Sequence, residues 1–186
     1  DGLDEKNGLK VKELQDFIKV RQLRQVRNLR QQHGIVPKLV IFMSDKATEA
    51  SEVYVRMKKS YAADIEVDVE IVKCAESELK QRIDRENSND LSQGIIVQLP
   101  LISVDTDEIV GVISPQKDID GLGDKADYVS ATAGAIDWLL TGYDVELRDK
   151  KIAILGNGRL VGAPLAKLWQ ERGLDVTTLD EFSDSP

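Results

Sequence analysis

Apolar positions switch between two spacings along the chain and so predict helices and strands in turn. Leu14, Phe17, Ile18 and Leu29 are among the apolar positions of a helix over residues 9–32, which Gly34 and Pro37 stop. The run Pro37-Lys-Leu-Val-Ile-Phe-Met43 predicts a buried strand. Thr48 is placed to cap a helix over 49–62, with Glu49 at the favourable end of its dipole. Ile65, Val67, Val69 and Ile71 alternate with Glu66, Asp68 and Glu70, the period of a half-exposed strand. A polar helix over 76–88 then precedes a second buried strand, Gly94-Ile-Ile-Val-Gln-Leu-Pro100. Residues 105–113 predict a short helix, and 114–130 a loop rich in Gly and Asp.

A helix over 132–141 leads to a strand at 151–155, a helix over 160–172 and a strand at 175–179. This alternation predicts an α/β fold with mostly parallel sheets. It has two lobes that divide near 142–150: a first lobe over 1–145 and a nucleotide-type lobe of Rossmann kind over 146–186. A complete nucleotide half runs β-α-β-α-β, whereas 151–186 supply β-α-β. With no initiator Met and an abrupt end at Pro186, a partial chain is expected.

Composition narrows the function classes. The net charge of -8 argues against a general nucleic-acid binder. The basic segment from Lys10 to Arg30 does not change this. Arg21, Arg24, Arg27 and Arg30 each turn ~60° from the last on a helix, so they spread over a solvated face rather than one docking stripe. No apolar run approaches the ~20 residues of a membrane span, and Asp1-Gly-Leu-Asp4 does not open a signal peptide. Cys74 is the single cysteine, which leaves no internal disulfide or cysteine metal site and fits a reducing cytoplasm. It reads as a small apolar residue. His33, the sole histidine, sits in a helix-ending turn and offers no metal or triad chemistry.

Four short segments carry candidate chemistry. Ser51, Tyr54 and Lys58, spaced by three and four, fall within a ~60° arc of one helix, beside the apolar positions Ala50, Val53, Met57 and Tyr61. Gln98-Leu99-Pro100 ends a buried strand, and strand ends are where open α/β sheets hold ligands. Lys117-Asp118-Ile119-Asp120-Gly121 is an acidic loop whose two aspartates share a side if extended. Gly156-Asn157-Gly158-Arg159-Leu160-Val161-Gly162 lies between a strand and a helix, as a dinucleotide-binding turn does, with one residue more than the common fingerprint. Taken singly, these also read as a helix edge, a strand terminator, a turn and a ligand-free glycine turn.

In this order and spacing the segments ASEVYVRMKK (50–59), VQLPL (97–101), SPQKDIDGLG (114–123) and GNGRLVGAPLAKLW (156–169) resemble the methylenetetrahydrofolate dehydrogenase/cyclohydrolase family, from about residue 8 to 180. The family pattern S-x-x-Y-V-x-x-K falls on Ser51, Tyr54, Val55 and Lys58; Q-L-P on Gln98, Leu99 and Pro100; and K-D-x-D-G on Lys117, Asp118, Asp120 and Gly121. The resemblance implies a bifunctional cytoplasmic enzyme, a homodimer without a metal. It oxidises methylene-tetrahydrofolate with NADP or NAD and hydrolyses the methenyl product to 10-formyl-tetrahydrofolate. The folate site lies between the lobes and includes Gln98, Leu99 and Pro100. Tyr54 stacks on the pterin or aminobenzoyl portion, and Asp120 hydrogen-bonds the pterin. Lys58 acts in hydrolysis, bonded to and oriented by Gln98. A cationic lysine is repelled by the cationic methenyl bridge, so burial, the substrate and Gln98 are expected to favour the neutral amine.

The chain also departs from the pattern. Gly156-Asn157-Gly158 stands where the family reads G-R-S, Asp180-Glu181 where a His-Ser pair is common, Leu122-Gly123-Asp124 for aromatic-His-Pro, and Thr132-Ala133-Gly134 for Thr-Pro-x-Gly. An acidic residue at 180 accepts from a free ribose 2′-OH and repels a 2′-phosphate, so NAD is expected to be favoured. Two other readings compete: a non-catalytic folate-binding or dimerising module of the same family, and a two-lobed dehydrogenase of shikimate or amino-acid type that shares only the glycine turn.

Overall fold

The computed structural model describes residues 11–180. Two compact units result, one of residues 16–128 and one of 129–180 with 11–15. The break falls between Tyr128 and Val129, ahead of the expected 142–150.

The first unit is built on three parallel strands, β1 (Lys38–Ser44), β2 (Asp68–Cys74) and β3 (Gly94–Gln98), in the order β2-β1-β3. Period-2 geometry sends alternate β1 side chains to opposite faces. Val40 and Phe42 pack with Leu79, Ile83, Ile95, Val97, Ile109 and Val110. Ile41 and Met43 pack with Val55 and Ile96 on the other face. Both faces of β1 are therefore covered, which is why it reads as a continuous apolar run. Burying a side chain such as Ile41 or Phe42 contributes ~1.5–3 kcal/mol. Lys117 and Asp118 extend the free edge of β3: Ile95 N–H donates to the Lys117 carbonyl at 2.7 Å, and Ile95 and Asp118 form a parallel bridge.

Helix α1 (Val11–His33) begins the described chain; the expected start at residue 9 lies outside the described residues. Its arginines stay exposed, as expected, yet two have a partner. Arg27 and Arg30 both bond the Glu66 carboxylate, at 2.7 and 3.2 Å, and Arg27 holds that carboxyl below the ordinary glutamate range. Glu66 sits in the left-handed region (φ 60°), closing the turn after helix α2 (Glu49–Asp64). That turn delays β2 to Asp68, although the alternation predicts a strand from Ile65: Ile65 still caps α2 by donating to carbonyls of its last turn.

The polar segment at 76 starts as a 3-10 turn (Glu76–Glu78) before helix α3 (Leu79–Asn87). Helix α4 is confined to Thr106–Val110, with the Asp105 side chain accepting from Glu108 N–H at its N-cap.

The second unit holds α5 (Ala131–Gly142), β4 (Lys151–Leu155), α6 (Gly162–Glu171) and β5 (Asp175–Leu179), with β4 and β5 parallel. Helix α5 belongs here because Ala133 packs with Leu165, Leu168 and Trp169 of α6, and Asp137 accepts from Trp169 Nε1 (3.0 Å) and Arg172 Nη1 (2.7 Å). No helix among the described residues is long and apolar enough to cross a membrane.

Candidate functional site

The candidate site of the first unit gathers at the C-terminal ends of its strands. Helix α2 starts five residues after β1, at that end. Its N-cap is Thr48, as expected: the Thr48 hydroxyl accepts from Ser51 N–H at 3.2 Å. The three residues of the arc then divide. Ser51 is 3% exposed, and its Oγ donates to the Leu99 carbonyl at 3.3 Å. Tyr54 is 60% exposed, free to offer a ring face. Lys58 extends to the acidic loop, with Nζ 3.5 Å from Asp120 Oδ2.

Gln98 closes β3 opposite Met43 of β1, and a cis peptide joins Leu99 to Pro100. Gln98 Nε2 donates to the Leu99 carbonyl at 2.9 Å, so Leu99 accepts from both Gln98 and Ser51. Gln98 Oε1 is buried and has no partner among the described residues. Flipping the amide would set one acceptor against another, so the orphan is the oxygen.

The expected bond between Lys58 and Gln98 is therefore not made. The Lys58 side chain, 32% exposed, is drawn to the carboxylate of Asp120 instead. An ammonium is attracted to a carboxylate more strongly than to an amide oxygen, which gives the physical reason.

The acidic loop does not present its two aspartates to one side. Asp118 is 1% exposed, and its two oxygens accept from Gly121 N–H (3.0 Å) and Gly123 N–H (2.7 Å). It folds the loop on itself and leaves Asp120 as the carboxylate that meets Lys58. A Cβ on Gly123 would stand 3.0 Å from Asp118 Oδ2, so glycine permits this approach. Lys117 is also structural: its Nζ donates to the carbonyls of Glu86 (3.0 Å) and Asn89 (2.7 Å), the C-terminal end of α3, where a cation is favourable.

Sequence reasoning missed Glu76. It is 4% exposed and accepts from Ser44 Oγ, Ile102 N–H and Ser103 N–H. In the sequence it looks like one more charge of a polar helix. Its partners lie 32, 26 and 27 residues away, so no local pattern marks it. Cys74 is buried as expected, and that burial pushes its thiol up from the ordinary value.

The glycine turn of the second unit lies between β4 and helix α6. Gly156 adopts φ 93°, open to glycine, and its N–H donates to the Leu179 carbonyl at 2.7 Å. A Cβ on Gly162 would lie 1.9 Å from the Gly156 carbonyl oxygen, so α6 meets the turn too closely for any side chain. Gly158 differs. It has no left-handed φ and no heavy atom within 4 Å of a Cβ position, so the fold places no demand for glycine there. Space kept clear at the middle glycine suits the close approach of a pyrophosphate to backbone, and the residues fit a nicotinamide dinucleotide. Asn157, Arg159, Leu160 and Val161 fill the rest of the turn, and Asp180 directly follows β5, whose last residue pairs with Leu155 before Gly156. Helix α6 starts at Gly162, so Leu160 and Val161 lie in the turn, not in the helix expected from residue 160.

Residues 9–120 match the family described as tetrahydrofolate dehydrogenase/cyclohydrolase, catalytic domain. The chain belongs to this family. The Bifunctional protein FolD of Borreliella afzelii is 33% identical over 187 residues, covering 92% of this chain and 58% of that protein. The chain thus spans little more than half the length of the curated relatives it matches. Among solved structures, the bifunctional enzyme FolD of Campylobacter jejuni superposes with TM-score 0.87 at 24% identity, covering 94% of this chain and 67% of that one. The Trypanosoma brucei enzyme, solved with NADP cofactor and an inhibitor, gives 0.85 at 25% identity, covering 95% and 65%. Family membership disfavours the shikimate or amino-acid dehydrogenase reading.

Proposed function

We propose that this chain binds tetrahydrofolate derivatives at Tyr54, Gln98, Leu99, Pro100 and Asp120, and hydrolyses the methenyl bridge with Lys58. The observation that carries this reading is the Lys58–Asp120 pair next to α2's open Tyr54 face. Asp120 takes the pterin's amino and ring N–H groups, and Tyr54 stacks on the pterin or aminobenzoyl ring. Pterin binding draws Asp120 away from Lys58. Beside the cationic methenyl bridge the Lys58 ammonium gives its proton to solvent; the neutral amine then takes a proton from the water that attacks the methenyl carbon, and the buried Gln98 Oε1 accepts from its N–H. Ser51 acts by holding the Leu99 carbonyl and thereby Gln98.

In this reading residues 16–128 form the folate-binding unit, and β4, α6 and β5 of the second unit contribute the first β-α-β of a Rossmann-type lobe. Gly156 to Gly162 and Asp180 hold the nicotinamide cofactor there. When bound, a nicotinamide dinucleotide accepts the hydride released as methylene- becomes methenyl-tetrahydrofolate. Asp180 favours NAD over NADP, and the active assembly is a homodimer.

The test is a spectrophotometric assay of methenyl-tetrahydrofolate hydrolysis by the 186-residue chain and its Lys58→Gln variant. Turnover by the chain and none by the variant is expected. Equal turnover by both removes Lys58 from the mechanism. Folate binding without turnover by either leaves the non-catalytic binding module as the function of this chain.

A further inference from the structure

We propose that Glu76 is a positioning residue of the hydrolytic site, whose buried carboxylate fixes the 101–103 segment and, through it, the Leu99 carbonyl and the Gln98 side chain. This rests on the folate reading above.

The pairing of β1 with β3 ends at Met43 and Gln98, and the chain beyond Gln98 leaves the sheet. Its backbone N–H groups then need other acceptors. Glu76 supplies them. Its carboxylate accepts from Ile102 N–H at 3.0 and 3.1 Å, from Ser103 N–H at 2.5 Å and from Ser44 Oγ at 2.9 Å. Ser44, itself 1% exposed, is the last residue of β1, and its Oγ also accepts from Lys46 N–H at 3.1 Å. The side chains of Ile102 and Ser103 point outward while their N–H groups turn in, so the segment is tied down by its backbone.

Gln98 and Leu99 are thus held from two sides. On one, Ser51 Oγ reaches the Leu99 carbonyl from α2; on the other, Glu76 anchors the chain three residues on. The Gln98 amide, bonded to that same carbonyl, takes its orientation from it. Three donors converge on Glu76, and only a carboxylate accepts from all three with both oxygens; a glutamine would aim an N–H₂ at another N–H. Burial works to raise the Glu76 carboxyl, but the bonds from Ser103, Ile102 and Ser44 and the charge of Lys46 outweigh it and hold it below the ordinary range. The anion is the form this site holds.

The experiment compares the chain with Glu76→Gln and Glu76→Asp in two measurements: kcat and KM for methenyl-tetrahydrofolate hydrolysis, and the NMR resonances of the Gln98 side-chain amide. In Glu76→Gln, kcat is expected to fall at least about tenfold with KM within about twofold, the loss a small displacement produces. The Gln98 amide resonances move with those of Ile102 and Ser103 N–H, and Glu76→Asp recovers part of both effects. A folded Glu76→Gln with moved Ile102 and Ser103 signals but unchanged Gln98 resonances and kcat overturns the proposal. If Glu76→Gln does not fold, the same comparison is made on Glu76→Asp. If the chain itself hydrolyses nothing, the hydrolytic reading fails separately and the Gln98 resonances decide: moved, they support the positioning role; unmoved, they end it.

Discussion

Lys58 Nζ lies 3.5 Å from Asp120 Oδ2, so helix α2 and the loop beyond β3 meet through opposite charges. Both side chains are partly exposed, and such a pair adds little to stability. In the proposed folate site its value is chemical: the pair would keep a carboxylate and an amine within reach of one ligand. Asp120→Asn is therefore expected to leave the fold intact and to weaken folate binding. A hydrogen bond to a charged group contributes ~1.5–3 kcal/mol, so the dissociation constant of a folate ligand rises about ten- to a hundredfold. Titration calorimetry reads this directly, and undiminished affinity in the variant removes Asp120 from the pterin site.

Gly158 and Gly162 of the nucleotide turn make a matched control. Gly162→Ala puts a Cβ 1.9 Å from the Gly156 carbonyl oxygen, and no rotamer relieves a backbone clash of that kind. The variant is expected to lose several kcal/mol of stability in the second unit, in the range of the largest single-substitution effects, about 4 or more. Gly158→Ala meets nothing within 4 Å and keeps an ordinary φ, so its melting curve should match that of the parent. What it should lose is protection by added nicotinamide dinucleotide, since the new methyl fills the space the phosphates need. A Gly158→Ala chain still stabilised by the dinucleotide to the parental extent contradicts a phosphate site there.

Much of this architecture was legible in the sequence, and the exceptions share one cause. Strand β1 is apolar on both faces because both faces are covered, and Thr48 caps α2 by a local rule; each carries its reason within a few residues. The late start of β2 depends on Glu66, whose left-handed turn is held by Arg27 and Arg30 from 39 and 36 residues away. Alternation alone contains no trace of that turn. Helix periodicity put Ser51, Tyr54 and Lys58 on one arc, but not their differing exposure, because the Leu99 segment that buries Ser51 comes 48 residues later. Asp118 and Asp120 look equivalent as letters. Only the N–H groups of Gly121 and Gly123, curling back, make one a strut and the other a ligand candidate. Glu76 is the extreme case, a carboxylate whose partners are all distant in sequence.

The expected preference for NAD turns on the end of β5. Leu179 pairs with Leu155, and the Leu179 carbonyl accepts from Gly156 N–H, so Asp180 and the glycine turn leave neighbouring strand ends together. In a dinucleotide fold the acidic residue at this place bonds the ribose 2′-OH, and its charge opposes a 2′-phosphate. The turn itself carries Asn157 and Gly158 where the family pattern reads Arg and Ser. NAD is accordingly expected to bind at least about tenfold more tightly than NADP, the scale of one charge-assisted hydrogen bond. Asp180→Ser removes the charge and supplies a hydroxyl in its place, and should narrow or reverse the ratio chiefly by improving NADP. Dissociation constants for both cofactors, measured at low and at moderate salt, separate the two contributions: screening relieves the repulsion of the phosphate and leaves the 2′-OH bond in place. NADP binding as tightly as NAD to the unmodified chain refutes the assignment.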